Sequence, residues 1–167
     1  MRIDVHAHYW TEDYIDRLVD LGLAGAVMAR GLGAGDGAEL EARLRLMDRA
    51  GVELQVLSAC PQLPYSEDGP KAAAVARFVN DQYAELVQRR RGRFSAFAAL
   101  PLPHADEALG EMGRALDELR MAGVAKTETR SSARSTTSTT PRSSQTPPAP
   151  SSTRTPAPCS ASERHTS

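Results

Sequence analysis

Two histidines separated by a single alanine, His6 and His8 in the segment IDVHAH, are the residues best suited to chemistry in this chain. On an extended strand, residues two apart project to one face, so both imidazoles point one way while Val5 and Ala7 point the other. Paired neutral imidazoles can grip zinc or a similar divalent cation at about 2.0–2.1 Å, and a catalytic centre adds further ligands and a water. The metal lowers the pKa of that water to about 7, making it a nucleophile or an acid/base group. Taken alone, His-x-His is a weak signal, because strand histidines also serve as surface or hydrogen-bonded residues. Asp4 extends the same two-residue period, which predicts that it shares the histidine face further down the strand. There it either supports a metal ligand from behind or makes a structural hydrogen bond.

The elements that position this pair are legible from periodicity. Ile3 to His8 reads as a short strand. Thr11 followed by Glu12 and Asp13 is a helix start, since carboxylates there favour the helix dipole, and this helix runs to about Gly22. Asp36 with Glu39 resembles a capping box opening a helix with Leu40, Leu44 and Met47 on one face, ended by Gly51. In VELQVLSA, Val52, Leu54 and Val56 alternate with Glu53 and Gln55, as in a strand with unlike faces. Pro70 suits the first turn of a long helix carrying Val75, Phe78, Val79 and Leu86 on one stripe. RFSAFAALPLP is a third strand. A last helix from about Ala105 places Leu109, Met112, Leu116 and Leu119 at helical spacing and stops at Gly123. Strands alternating with helices imply parallel pairing, and this body would fill about half of a (β/α) barrel of roughly 250 residues.

Composition divides the chain near Val124. The formal charge of −1 combines an acidic body, with 14 Lys and Arg against 19 Asp and Glu, and a tail with 6 against 2. Neither part has the charge of a dedicated nucleic-acid binder. Cys60 and Cys159 offer no disulfide framework, and a reducing compartment fits. The start of the chain lacks the apolar run of a signal or membrane span, which predicts a cytoplasmic protein with no membrane partner.

IDVHAH, then QVLSACP, then FVNDQYAELVQRRRGRFSAFAALPLP with ALDELRMAGV, resemble successive landmarks of the amidohydrolase-related family. The similar branch is that of the aminocarboxymuconate-semialdehyde and hydroxybenzoate decarboxylases, and the resemblance covers most of residues 2–124. It implies an α/β fold, the N-terminal portion of a (β/α)8 TIM-type barrel. It also implies a divalent metal, zinc first and manganese second, and a small aromatic or related carboxylic acid substrate that loses its carboxylate or is hydrolysed. His6 and His8 become metal ligands on this resemblance. Family members add a histidine from a middle strand, often a catalytic histidine, and an aspartate near the last strand, none of which has a match here. His104 follows Pro103 at a helix start and reads as a surface or capping residue. Cys60 ends the second strand, where packing is weighed above catalysis. Asn80 and Arg93 read as structural. Tyr9 and Trp10 either line a pocket mouth or pack the loop.

Of the 43 residues in 125–167, 37 are Ser, Thr, Pro, Arg or Ala, a composition that predicts disorder and no fourth strand. It is equally the alphabet of codons with C or G in the middle position, as a GC-rich gene gives when its frame changes. Residues 1–124 are therefore expected to be a partial barrel, inactive alone, whose open sheet edges favour self-association or pairing with a separately encoded second half. The rival reading is a non-catalytic interaction module whose 21 tail Ser and Thr form a phosphorylated or partner-binding segment. Sequencing the locus is expected to show a frame change near codons 120–140; one uninterrupted frame there contradicts it.

Overall fold

The computed structural model describes residues 1–32 and 37–127. The cap at Asp36 and nearly all of the 125–167 segment lie outside the described residues. Four strands, β1 (Ile3–His8), β2 (Leu54–Ser58), β3 (Phe94–Ala98) and β4 (Gly123–Val124), form one sheet in the order β1-β2-β3-β4. Every pair is parallel. Helices α1 (Glu12–Asp20), α2 (Gly37–Ala50), α3 (Gly69–Arg89) and α4 (Ala105–Gly113) fill the connections, with a 3-10 segment at Ala24–Ala29. This is the α/β arrangement of the N-terminal portion of a (β/α)8 TIM-type barrel. Among the described residues, no helix is long and apolar enough to cross a membrane.

Local chemistry explains the helix ends. Thr11 caps α1 by accepting from the Tyr14 amide at 3.2 Å, and its hydroxyl donates to Gln82 Oε1 at 2.9 Å. Asp68 caps α3 by accepting from the Lys71 amide at 3.2 Å, with Pro70 in the first turn. Gly51 follows α2 at φ +66°, a left-handed conformation that side-chain-bearing residues resist. Tyr14, Ile15 and Leu18 of α1, Met47 of α2, Leu57 of β2, and Val79, Tyr83 and Leu86 of α3 form the core with β3. Each fully buried aliphatic side chain stabilises by about 1.5–3 kcal/mol.

Three expectations are corrected. Strand β2 does not alternate: Val56, Leu57 and Ser58 are buried in succession, because β2 lies inside the sheet and is covered on both faces. The last helix buries its apolar positions only in part, with Met112, Leu116 and Leu119 half-buried. Leu109 is 60% exposed, whereas Ala108, Glu111 and Ala115 are buried. The cause is polar: Glu111 Oε1 accepts from Asn80 Nδ2 at 2.8 Å and from Arg114 at 2.8 Å, while Asn80 also exchanges hydrogen bonds with both backbone groups of Ala99. A buried carboxylate needs such partners, and it rotates the helix toward α3. The regular helix then widens over Arg114–Glu118, and Gly123 begins a fourth strand instead of ending a helix. A Cβ on Gly123 would stand 3.4 Å from the Phe97 ring, so glycine lets β4 approach β3.

Asn80→Ala removes the link from α3 to Ala99 and Glu111, and urea unfolding should show a loss of roughly 2–4 kcal/mol. Leu109→Gln, at an exposed site, should stay within about 0.5 kcal/mol. The reverse ranking would contradict the polar account of α4.

Candidate metal centre

The pairing of β1 with β2 contains an irregularity that decides which side chains meet. Asp4 pairs with Gln55 and Ala7 with Leu57, so β1 advances three residues while β2 advances two. This bulge breaks strict alternation between Asp4 and His6. Asp4 consequently leaves the histidines: it lines a cleft with α2 residues such as Arg43 and Met47, whereas His6 and His8 line another with Val5, Ser58, Cys60, Phe97, Val124 and Lys126. The expectation that Asp4 shares the histidine face is therefore corrected. Its carboxylate accepts from the His6 backbone N–H at 3.1 Å and from Gln55 Nε2 at 2.9 Å. Asp4 holds the bulge, and through it the His6 backbone, without touching either imidazole ring.

His6 and His8 do come together. Their ring centroids lie 4.7 Å apart with planes at 77°. His8 stacks on Trp10, the centroids 5.2 Å apart and the planes within 8°. Trp10 is fixed in turn, because its indole N–H donates to the Ala59 carbonyl at 2.7 Å. The His8 carbonyl accepts from Arg43 at 2.8 Å, so α2 tethers the end of β1. Burial, aided by His6 and Arg43, lowers the His8 pKa, although the nearby Cys60 and Ser58 backbone carbonyls, which favour a protonated ring, oppose the shift. A neutral ring is the form that binds metal. His8 Nδ1 is buried without a hydrogen-bond partner, and a cation would satisfy it. The residues present fit half of a metal site. Among the described residues, no cluster of three or more His, Cys, Asp or Glu side chains converges on one point.

The other candidates sort by contact. Cys60 lines the histidine cleft, but burial raises its thiol pKa and disfavours the nucleophilic thiolate. Trp10 packs the loop beneath His8, and Tyr9, also buried, gives its carbonyl to the Tyr83 hydroxyl at 2.6 Å. His104 occupies the cap position of α4 without a side-chain capping bond, and its Nε2 lies 2.7 Å from the Ser66 carbonyl. Asn80 and Arg93 are structural; Arg93 joins the Glu53 carbonyl at 3.1 Å and Asp48 at 2.8 Å. Sequence reasoning missed Arg43 and Glu111. An arginine or glutamate within a charged helix gives no sign of a partner far along the chain.

Comparison with known proteins gives the chain a family. Residues 3–134 match the amidohydrolase family. The gamma-resorcylate decarboxylase of Rhizobium radiobacter is 43% identical over 84 residues, which are 50% of this chain and 26% of that protein. The 2-amino-3-carboxymuconate-6-semialdehyde decarboxylase of Dictyostelium discoideum is 28% identical over 85 residues, 50% of this chain and 24% of that one. The crystal structure of a dihydroxybenzoic acid decarboxylase from Polaromonas sp. JS666, with bound manganese and the inhibitor 2-nitroresorcinol, superposes with a TM-score of 0.59 at 28% identity. That likeness covers 74% of this chain and 37% of the Polaromonas chain. The match thus spans about a quarter of the length of these two curated relatives. With a family match that takes in every described strand and both cleft histidines, the chain belongs to the amidohydrolase family, on the branch of the aminocarboxymuconate-semialdehyde and hydroxybenzoate decarboxylases.

Proposed function

We propose that this chain carries the first two metal ligands, His6 and His8, of a non-oxidative carboxy-lyase acting on a small aromatic carboxylic acid. The observation that carries the reading is the pair of adjacent imidazoles at the end of β1, one with a buried, unpartnered ring nitrogen. A divalent metal bound there would polarise a substrate oxygen or activate a water. His6 and His8 hold the ion. Trp10 and Arg43 fix the ring and the backbone of His8, and Asp4 fixes the backbone of His6. Zinc suits paired imidazoles, and the manganese of the Polaromonas relative makes manganese an equal choice to test. Hydrolysis is the other outcome open to the same metal chemistry, and the relatives' reactions favour decarboxylation. A frame-changed origin for residues 125–167 follows from their restricted codon alphabet.

Two ligands fall short of the three that a catalytic metal site usually takes from protein, so the chain by itself should not turn over. Fusing residues 3–127 to the remaining barrel of the Rhizobium radiobacter decarboxylase should restore metal-dependent decarboxylation of gamma-resorcylate. His6→Ala combined with His8→Ala in that chimera should abolish both metal retention and turnover. Asp4→Ala should retain metal about 10–100-fold more weakly, as expected for a group that positions a ligand. A folded chimera whose metal content and activity ignore the histidine changes would refute the assignment.

A further inference from the structure

The cleft that holds His6 and His8 also receives Lys126. Resting on the reading of that cleft as the place where an aromatic carboxylic acid reacts, we propose that Lys126 recognises the carboxylate, its ammonium binding that group while Phe97 takes the ring. The register of β4 puts the lysine there. Phe97 pairs with Gly123 and Ala98 with Val124, and the Ala125 N–H donates to the Ala98 carbonyl at 2.8 Å, so the extended backbone continues past the strand. Residues two apart then share a face. Ala125 packs into the core, and Val124 and Lys126 both line the cleft. Lys126 follows the C-terminal end of β4 as His8 ends β1, which sets them on the rim where the sites of such barrels gather.

Charge and shape in this cleft suit a single-ring anion. Among the described residues lining it, Lys126 bears the only permanent charge and none is a carboxylate. The ammonium makes no ion pair or hydrogen bond with another described residue, whereas Lys71 is paired with Asp68 at 2.9 Å. A charge of one sign between apolar walls draws in a counter-ion, and Val5, Phe97 and Val124 supply the walls. Phe97 is half-buried and offers an aromatic surface against which a substrate ring can stack or set its edge. The cleft holds about 260 Å³, less than the roughly 300–1,000 Å³ of pockets for drug-sized ligands. A divalent ion on the histidines and the ammonium would repel each other across this cleft. A carboxylate between them removes that repulsion, so cation and anion should favour each other's binding. Lys126 belongs to the compositionally distinct segment 125–167, which makes the subsite a property of this chain itself.

Binding of benzoate to the 167-residue chain, followed through Trp10 fluorescence, tests this, because Trp10 is the only tryptophan and stacks on His8. Benzoate should change the emission saturably. Benzamide, which keeps the ring without the charge, and acetate, which keeps the charge without the ring, should each bind about tenfold more weakly or worse. Lys126→Met should weaken benzoate about tenfold and remove its advantage over benzamide, and Lys126→Arg should restore both. Lys126 is exposed, so both variants should keep the circular dichroism of the parent chain. Equal affinity for benzoate and benzamide, benzoate binding that ignores Lys126→Met, or no benzoate binding with zinc chloride or without it overturns the proposal. Equilibrium dialysis against zinc chloride separates this from the histidine reading. Zinc uptake that depends on His6 and His8 leaves the half-site standing when the benzoate result fails. Lys126-dependent benzoate binding by a chain that takes up no zinc supports the carboxylate subsite and overturns the half-site.

Discussion

The bulged parallel pairing of β1 on β2 is the constraint on which the candidate site depends. One extra residue between Asp4 and Ala7 turns Asp4 toward α2 and leaves His6 and His8 in one cleft. Asp4 stabilises that geometry by bridging the His6 amide and the Gln55 side chain. A bulge leaves a residue unpaired and is retained where it re-aims a side chain. Here it places a carboxylate under the site and keeps it out of the imidazoles' cleft.

The loops after the strands are tied by buried polar groups. Trp10 donates to the Ala59 carbonyl, Tyr83 to the Tyr9 carbonyl, Tyr14 to the Gln62 carbonyl, and Asn80 joins both backbone groups of Ala99. These contacts link the ends of β1, β2 and β3 to one another and to α1 and α3. In open α/β sheets and barrels, ligand chemistry gathers at this rim, and a rim fixed by satisfied hydrogen bonds can hold metal ligands in place. Buried donors without such partners would each cost about 1–3 kcal/mol, so the same bonds serve stability and site geometry.

The sequence shows the parts of the fold that depend on short-range pattern. Thr11, Pro70 and Gly51 mark helix ends through backbone chemistry confined to a few residues, and the strand pair His6 and His8 is visible as a motif. What was not legible depends on contacts distant in sequence. The direction of Asp4 follows from register against β2. The burial of Glu111 requires Asn80, 31 residues earlier, and Arg114. Helical spacing therefore gave no sign that Leu109 stays exposed while Glu111 is buried, because the polar partner that sets that face lies far along the chain. Strand β4 was hidden because two residues are too few to show a period, and Gly123 carries an equally good signal for a helix end.

Family membership and catalytic competence are separate properties of this chain. The fold is that of the amidohydrolase family, yet among the described residues no group of three or more His, Cys, Asp or Glu side chains converges to hold a metal. Whether the His6 and His8 rings bind metal decides the matter. X-ray absorption spectroscopy on the zinc-loaded chain is the most direct test. Imidazole scattering with Zn–N at about 2.0–2.1 Å, lost when His6 and His8 are replaced together, is the predicted result. A sulfur shell at about 2.3 Å or an oxygen-only shell, unchanged by that replacement, would contradict it.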